Sequence, residues 1–310
     1  MKKIPLIIDC DPGHDDAIAL IMMFSSPRYD IKAVTVSSGN QTLKKTTANV
    51  FKILNYINRS VPVALGAEKP MVRDLIIAPS VHGDSGLDGP VFTDLKGEPV
   101  SKKAWELSRD IILSSPDPVT LMATGPLTNL GILFTCFPEV KGNIERICIM
   151  GGGIEHGNWS IAAEFNILVD PEAAEIVFNA GIPLVMCGLD VTEKAMLFSD
   201  DIERLRGSGN VGKLVAVLLD FFFQFHFQMG FSGVPLHDPC AAAYLLDPTL
   251  FKSEDYHVII ETGGKYSAGA TIADRRVNPG KASPNATVCM DIDRQRFVSL
   301  ILECCRSYNE

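Results

Sequence analysis

Short, uninterrupted apolar runs recur along the chain, each ending in small or polar residues and each followed by a stretch with helical spacing. The runs at 4–8, 31–37, 61–65, 119–123, 144–150 and 182–187 are too short for buried helices and read as strands. The intervening segments at 17–24, 42–56 and 101–114, the one after Thr124 to Asn129, and the one opened by Asp170-Pro171-Glu172 read as helices. The last carries an N-cap and a proline at its first position. Strands that are apolar throughout, alternating with helices, predict an α/β fold: an open, mostly parallel, doubly wound sheet of Rossmann-like type, covered on both faces.

Beyond Ser199 the pattern turns helical, at 200–206, 211–229 and 240–246, the last behind His237-Asp238-Pro239. The segment 257–293 reads as short strands with turns, and 294–305 as a closing helix. With no repeat or linker in sight, a single domain over 1–310 is expected. One connection stands out, the Gly/Pro-rich stretch 66–100. Loops of that length in a compact domain are usually functional or disordered. It contains His82-Gly83-Asp84-Ser85-Gly86, which suggests a lid or a site wall.

Composition narrows the class. A net charge of -9 over 310 residues speaks against nucleic acid or an anionic membrane as partner. The eight cysteines show no C-x-x-C spacing and mostly lie inside apolar runs, as small core residues do in a reducing compartment. Lys2 and Lys3 precede too few apolar residues for a signal peptide, and no apolar run approaches the ~18 residues of a membrane span. A cytoplasmic protein is expected.

The chemistry concentrates in Asp9-Cys10-Asp11-Pro12-Gly13-His14-Asp15-Asp16. Asp9, Asp11, Asp15 and Asp16 crowd the carboxyl end of the first strand and would repel one another strongly at low dielectric unless a cation stood among them. Pro12-Gly13 reads as a turn, which puts Asp11 at the strand tip and Asp15 and Asp16 in the first helical turn. All can converge on the crevice where open α/β sheets bind ligands. Taken singly, Asp15 and Asp16 would only complement the helix dipole, and His14 reads as a helix-start residue.

Other strand tips carry matching groups: Asn40, Thr124, and a run from Gly157 to Asn166 that holds Asn158, Glu164 and Asn166. Amides and a carboxylate suit a polyol, whose hydroxyls both donate and accept. Asn40 and Asn129 have an alternative reading as turn or cap residues, but Glu164, flanked by apolar residues, needs a partner. Asp238 reads either as an N-cap or as a late-arriving metal ligand, beside His237. His82 adds a titrating group in the long loop.

These motifs carry a family resemblance. Asp9 to Asp16, Ala123-Thr124-Gly125-Pro126-Leu127-Thr128-Asn129, Met150-Gly151-Gly152-Gly153, Glu164-Phe165-Asn166 with Asp170-Pro171-Glu172-Ala173-Ala174, and His237-Asp238-Pro239 resemble the nucleoside N-ribohydrolases of the inosine-uridine-preferring superfamily, in the family's order and across the whole chain. The resemblance implies Ca²⁺ held by Asp11, Asp15, Asp238 and the Thr124 carbonyl, with Asp16 as a further ligand or sugar contact and Asp9 in support. An oxygen-only shell of roughly six to eight ligands suits that ion. Asp15, Asn40, Asn158, Glu164 and Asn166 would hold the ribose.

The implied reaction is hydrolysis of the N-glycosidic bond of ribonucleosides through an oxocarbenium-like transition state. Asp11 would be the general base, with the metal lowering the pKa of the attacking water. His237 would be the acid for the leaving base, with His82 as second candidate. In relatives the helix around 221–229 contributes to the base pocket, so Gln224 and Gln228, one turn apart, are expected to hydrogen-bond a pyrimidine. Uridine and cytidine are the expected substrates, a purine or mixed inosine-uridine preference being the alternative. The resemblance also implies a homodimer or homotetramer.

Three rivals fit less well. A haloacid-dehalogenase-type phosphatase shares D-x-D but usually has Thr or Val where Gly13 stands. An EF-hand needs a glutamate at its twelfth position, which counted from Asp9 is Leu20. A non-catalytic nucleoside-binding protein would share the ribose contacts without needing His237.

Overall fold

The computed structural model describes residues 2–93, 96–276 and 282–309. Residues 94–95 of the long loop and 277–281 of the late strand region lie outside that set. The strands are β1 (Ile4–Cys10), β2 (Tyr29–Val36), β3 (Val63–Leu65), β4 (Val119–Ala123), β5 (Ile144–Met150), β6 (Leu184–Cys187), β7 (Met196–Leu197), β8 (Val234–Pro235), β9 (Phe251–Tyr256), β10 (Val258–Ile260), β11 (Thr271–Ala273) and β12 (Ala286–Ile292). Eight of them form one sheet in the order β3-β2-β1-β4-β5-β6-β12-β9. All neighbours run parallel except β12 and β9.

The six expected strands are the first six of this sheet. Of the late strands, β12 extends the central sheet and β10 and β11 form a separate two-stranded piece, while β9, which lies before the segment expected to hold strands, adds a further edge strand to the central sheet.

Apolar strands buried on both faces divide the core in two. One half packs beneath the helices His14–Ser25, Asn210–Gln228, Asp238–Leu246 and Arg294–Arg306, and the other beneath Thr128–Cys136 and Pro171–Phe178. Asn210–Gln228 is long and apolar enough, by length and composition, to cross a membrane, which the run-length reading missed; half of its apolar window is buried inside the fold, as a core helix requires.

The sheet's order fixes the place of the site. The chain runs outward from β1 through β2 to β3, then crosses to the other side of β1 for β4. That reversal opens a crevice at the carboxyl ends of β1 and β4, where doubly wound sheets bind ligands. The helix Asp238–Leu246 then packs along His14–Ser25. Its Cys240-Ala241-Ala242-Ala243 face is completely buried, and small side chains permit the close approach that carries Asp238 to the crevice.

Candidate active site

Each aspartate of the first motif is buried and held differently. Asp9, the penultimate residue of β1, takes the Thr35 hydroxyl at 2.5 Å and the Asn129 amide at 2.8 Å on Oδ2, while Oδ1 is sealed and unpaired. Asp11, just past the strand, accepts the Asn40 backbone N–H at 2.6 Å on Oδ2, and its Oδ1 is also sealed without a partner. A Cβ on Gly39 or Gly125 would come within 2.2 or 2.4 Å of the Asp11 carboxylate oxygens, so both tip loops must present bare backbone there. Asp16 accepts from Gly13 N at 2.9 Å, Asn40 Nδ2 at 3.1 Å and the Thr124 hydroxyl at 2.8 Å.

Asp15, Asp16 and Asp238 each offer an oxygen within 4.8 Å of the others, and Asp16 and Asp238 share a hydrogen-bonding contact. Two carboxylates in contact need a proton or a cation between them. Burial, reinforced by neighbouring carboxylates, pushes Asp9 and Asp15 up to about 7, and Asp11 and Asp238 well above the carboxylate range. Among the described residues no Lys or Arg forms an ion pair with any of these aspartates. A buried, oxygen-only cluster with an orphaned Asp11 oxygen and no cationic side chain fits a hard metal ion.

Above the cluster opens a cavity of about 360 Å³ lined by Asp15, Asn40, Thr124, Asn158, Glu164, Asn166 and Asp238 on its polar side. Glu164 caps the helix Phe165–Val169, accepting from Asn166 N at 2.9 Å, Ile167 N at 3.2 Å and Gly152 N at 3.0 Å. Those backbone donors are the partners its apolar flanks required, and burial still pushes it up to about 7. Asn166 donates to the carbonyls of Thr124 (2.9 Å) and Met150 (3.2 Å), tying the tips of β4 and β5 together. Asn158 Oδ1 accepts from Phe165 N at 3.0 Å. A hollow of about 410 Å³ at the opposite ends of the strands, beside Lys2, Arg28, Asp117 and Glu145, has no such convergent set.

The other side of the cavity is apolar and imidazole-lined: His82, His226, His237, Phe222, Phe225, Met229 and Phe231. His237 Nδ1 lies 2.8 Å from the Thr192 hydroxyl, and His226 Nδ1 3.0 Å from the Phe222 carbonyl. Burial holds all three imidazoles neutral: His237 falls to about 3, His226 to about 4 and His82 well below the usual range.

Two expectations are corrected here. Gln224 and Gln228 are exposed and absent from the cavity wall, because the helix turns its aromatic face, with Phe222 and His226 one turn apart, toward the site. His14 is more than a helix-start residue. It is fully buried, stacks on Phe221 at 4.8 Å, and its Nε2 lies 2.8 Å from the Asp88 carbonyl. Reasoning from sequence also missed Thr192 and His226. The i, i+4 spacing of Phe222 and His226 was the available signal for the second, whereas nothing local marks Thr192.

Comparison with known proteins agrees with this geometry. The profile of the family described as "Inosine-uridine preferring nucleoside hydrolase" matches residues 6–299. The pyrimidine-specific ribonucleoside hydrolase RihA of Citrobacter koseri is 53% identical over 97% of both chains, and that of Escherichia coli is 52% identical over 98% of this chain and 99% of its own. Among solved structures, the plant nucleoside hydrolase PpNRh1 superposes with a TM-score of 0.90 at 29% identity, covering 98% of this chain and 99% of its own. The purine-preferring ribonucleoside hydrolase of Gardnerella vaginalis does so at 0.91 and 28%, covering 98% of each chain. Sheet order, carboxylate cluster and sequence likeness over nearly the whole length converge, and this chain belongs to the inosine-uridine preferring nucleoside hydrolase family.

Proposed function

We propose that this ribonucleoside hydrolase, folded as one domain over residues 1–310, prefers uridine and cytidine and works with Ca²⁺. The observation that carries the base preference is the identity of 52–53% to relatives named as pyrimidine-specific. Asp11, Asp15, Asp16, Asp238 and the Thr124 carbonyl would hold the ion, which when bound lowers the pKa of an attacking water and anchors the ribose hydroxyls.

The chain's own groups do the rest. Asp11 takes a proton from the attacking water as general base. Asn40, Asn158, Glu164 and Asn166 hold the sugar with Asp15, and the surrounding carboxylates favour the positive charge that grows on the ribose ring. His237 serves the leaving base. Nδ1 of His237 is engaged by the Thr192 hydroxyl; in the tautomer in which that hydroxyl donates, the neutral ring carries its proton on Nε2 and offers the departing base a hydrogen bond, and full transfer of a proton requires the imidazolium form. His82 is the second candidate for that role. The apolar wall of Phe222, Phe225 and Phe231 excludes water and strengthens each of these interactions.

The eight unpaired cysteines suit cytoplasmic residence, and the family resemblance supports a homodimer or homotetramer, which a mass by light scattering reads directly. The function is tested by release of reducing sugar from uridine, cytidine, inosine and adenosine with Ca²⁺ present. Uridine and cytidine are expected to lead in kcat/KM; a higher value for inosine would overturn the pyrimidine preference.

A further inference from the structure

His226 faces the cavity with a fixed pattern of hydrogen bonding. Its Nδ1 lies 3.0 Å from the carbonyl oxygen of Phe222, one turn earlier in the same helix. A carbonyl only accepts, so Nδ1 carries the proton and Nε2 of the neutral ring is a bare lone pair. The pKa lowered to about 4 by burial agrees with a neutral ring.

Among the described residues Nε2 has no hydrogen-bond partner. The sealed, partnerless side-chain atoms among the described residues are Asp9 Oδ1, Asp11 Oδ1, Ser37 Oγ and Thr47 Oγ1. His226 Nε2 is not one of them, so it keeps accessible surface although the residue is only 5% exposed, and the residue borders the cavity. The ring is packed edge-to-face among Phe222 at 4.4 Å, Phe225 at 5.3 Å and Phe231 at 5.6 Å. His237 stands 6.2 Å away, centroid to centroid.

We propose that His226 is the specificity-determining residue of the base pocket, an acceptor held by the Phe222 carbonyl that takes an N–H from the outer edge of the base. On the pyrimidine reading above, on which this rests, that donor is the imide N–H of uracil or, with the base seated one position over, the exocyclic amine of cytosine. An acceptor in an aromatic wall is costly to leave unmet, so a nucleoside that cannot seat an N–H at that point is disfavoured. His226 touches the base and no atom of the breaking bond; its work is selection and seating.

The test compares uridine with p-nitrophenyl riboside, whose leaving group has no N–H. His226→Phe keeps the ring's bulk and loses the lone pair; it is expected to lower kcat/KM for uridine about tenfold to a hundredfold and that for p-nitrophenyl riboside much less. His226→Gln, whose amide oxygen can accept, is expected to recover most of the uridine rate. Equal losses on both substrates, or no recovery by glutamine, would overturn the proposal. A readout independent of any variant is the imidazole ¹⁵N spectrum of the wild-type enzyme, assigned by the signals missing in His226→Gln. Nε2 should be unprotonated, and a proton found there would sink the idea. Should the wild type cleave inosine in preference to uridine, the pyrimidine reading fails on its own account. A His226→Phe enzyme that cleaves uridine at the wild-type rate refutes only this assignment.

Discussion

Nδ1 of His14 lies 3.2 Å from Nδ1 of His82, although 68 residues separate them in the chain. The two rings stack at 5.4 Å, and the His14 backbone N–H reaches the same His82 nitrogen at 3.3 Å. The long loop is thereby pinned to the start of the helix that carries Asp15 and Asp16. His14→Ala is expected to cost about 3 kcal/mol of stability through the lost ring and, by releasing His82, to lower nucleoside kcat/KM at least about tenfold. Urea midpoints and steady-state kinetics check both; a shifted midpoint with unchanged kinetics would confine His14 to packing.

Asp11 is enclosed by backbone, with Asn40 N at 2.6 Å and no room for a Cβ at Gly39 or Gly125. Asp11→Asn preserves that shape and removes the base. Turnover should fall ~100-fold or more, and retention of over a tenth of kcat would contradict the assignment.

His237→Ala should slow uridine far more than p-nitrophenyl riboside, because nitrophenolate departs without a proton. Similar losses on both would take His237 out of the acid role and leave His82 as the candidate to examine by the same pair of substrates.

Chelation should destabilise the protein, since Asp15, Asp16 and Asp238 are then left to share one buried space. Ca²⁺ at 100 times its Kd adds about 2.7 kcal/mol to the folded state, read as a rise in Tm; an unchanged Tm would argue against a tightly held ion. In the metal-free protein Glu164 also sets a pH dependence. Its folded pKa, raised from 4.5 to about 7, means that the folded state keeps a proton which the unfolded chain gives up near 4.5. Its stabilising effect is therefore full below about 4.5 and lost as pH rises to 7, a swing of roughly 3 kcal/mol. Glu164→Gln should flatten that part of the stability profile.

Much of the fold was legible because it is written in local pattern. Six apolar runs became six parallel strands, and Asp170-Pro171 opened a helix as its residue types demand. The late strands were harder to place. β9 lies just before the segment read as strands, and being largely exposed and short on apolar contrast, it carries nothing in its own residues that marks it as a strand at the edge of the main sheet. The glutamines failed for a different reason. Gln224 and Gln228 look like a polar face suited to a base, yet which face of the helix turns inward is settled by what the whole helix packs against. Here the aromatic side is the wall and the glutamines meet water.

The sequence by itself determined the carboxylate-rich strand tip, the alternation that builds a doubly wound sheet, and hence a ligand crevice at the carboxyl end of β1, while the sheet order alone places β4 on its other side. The first three follow from short-range periodicity and from the repulsion of neighbouring like charges. Only the tertiary structure decided which carboxylates meet, that Asp238 arrives on a helix of small residues, and that His14 and Thr192 are the partners of His82 and His237. Such relations join residues tens to hundreds of positions apart, and close packing, rather than any local preference of the chain, brings them into contact.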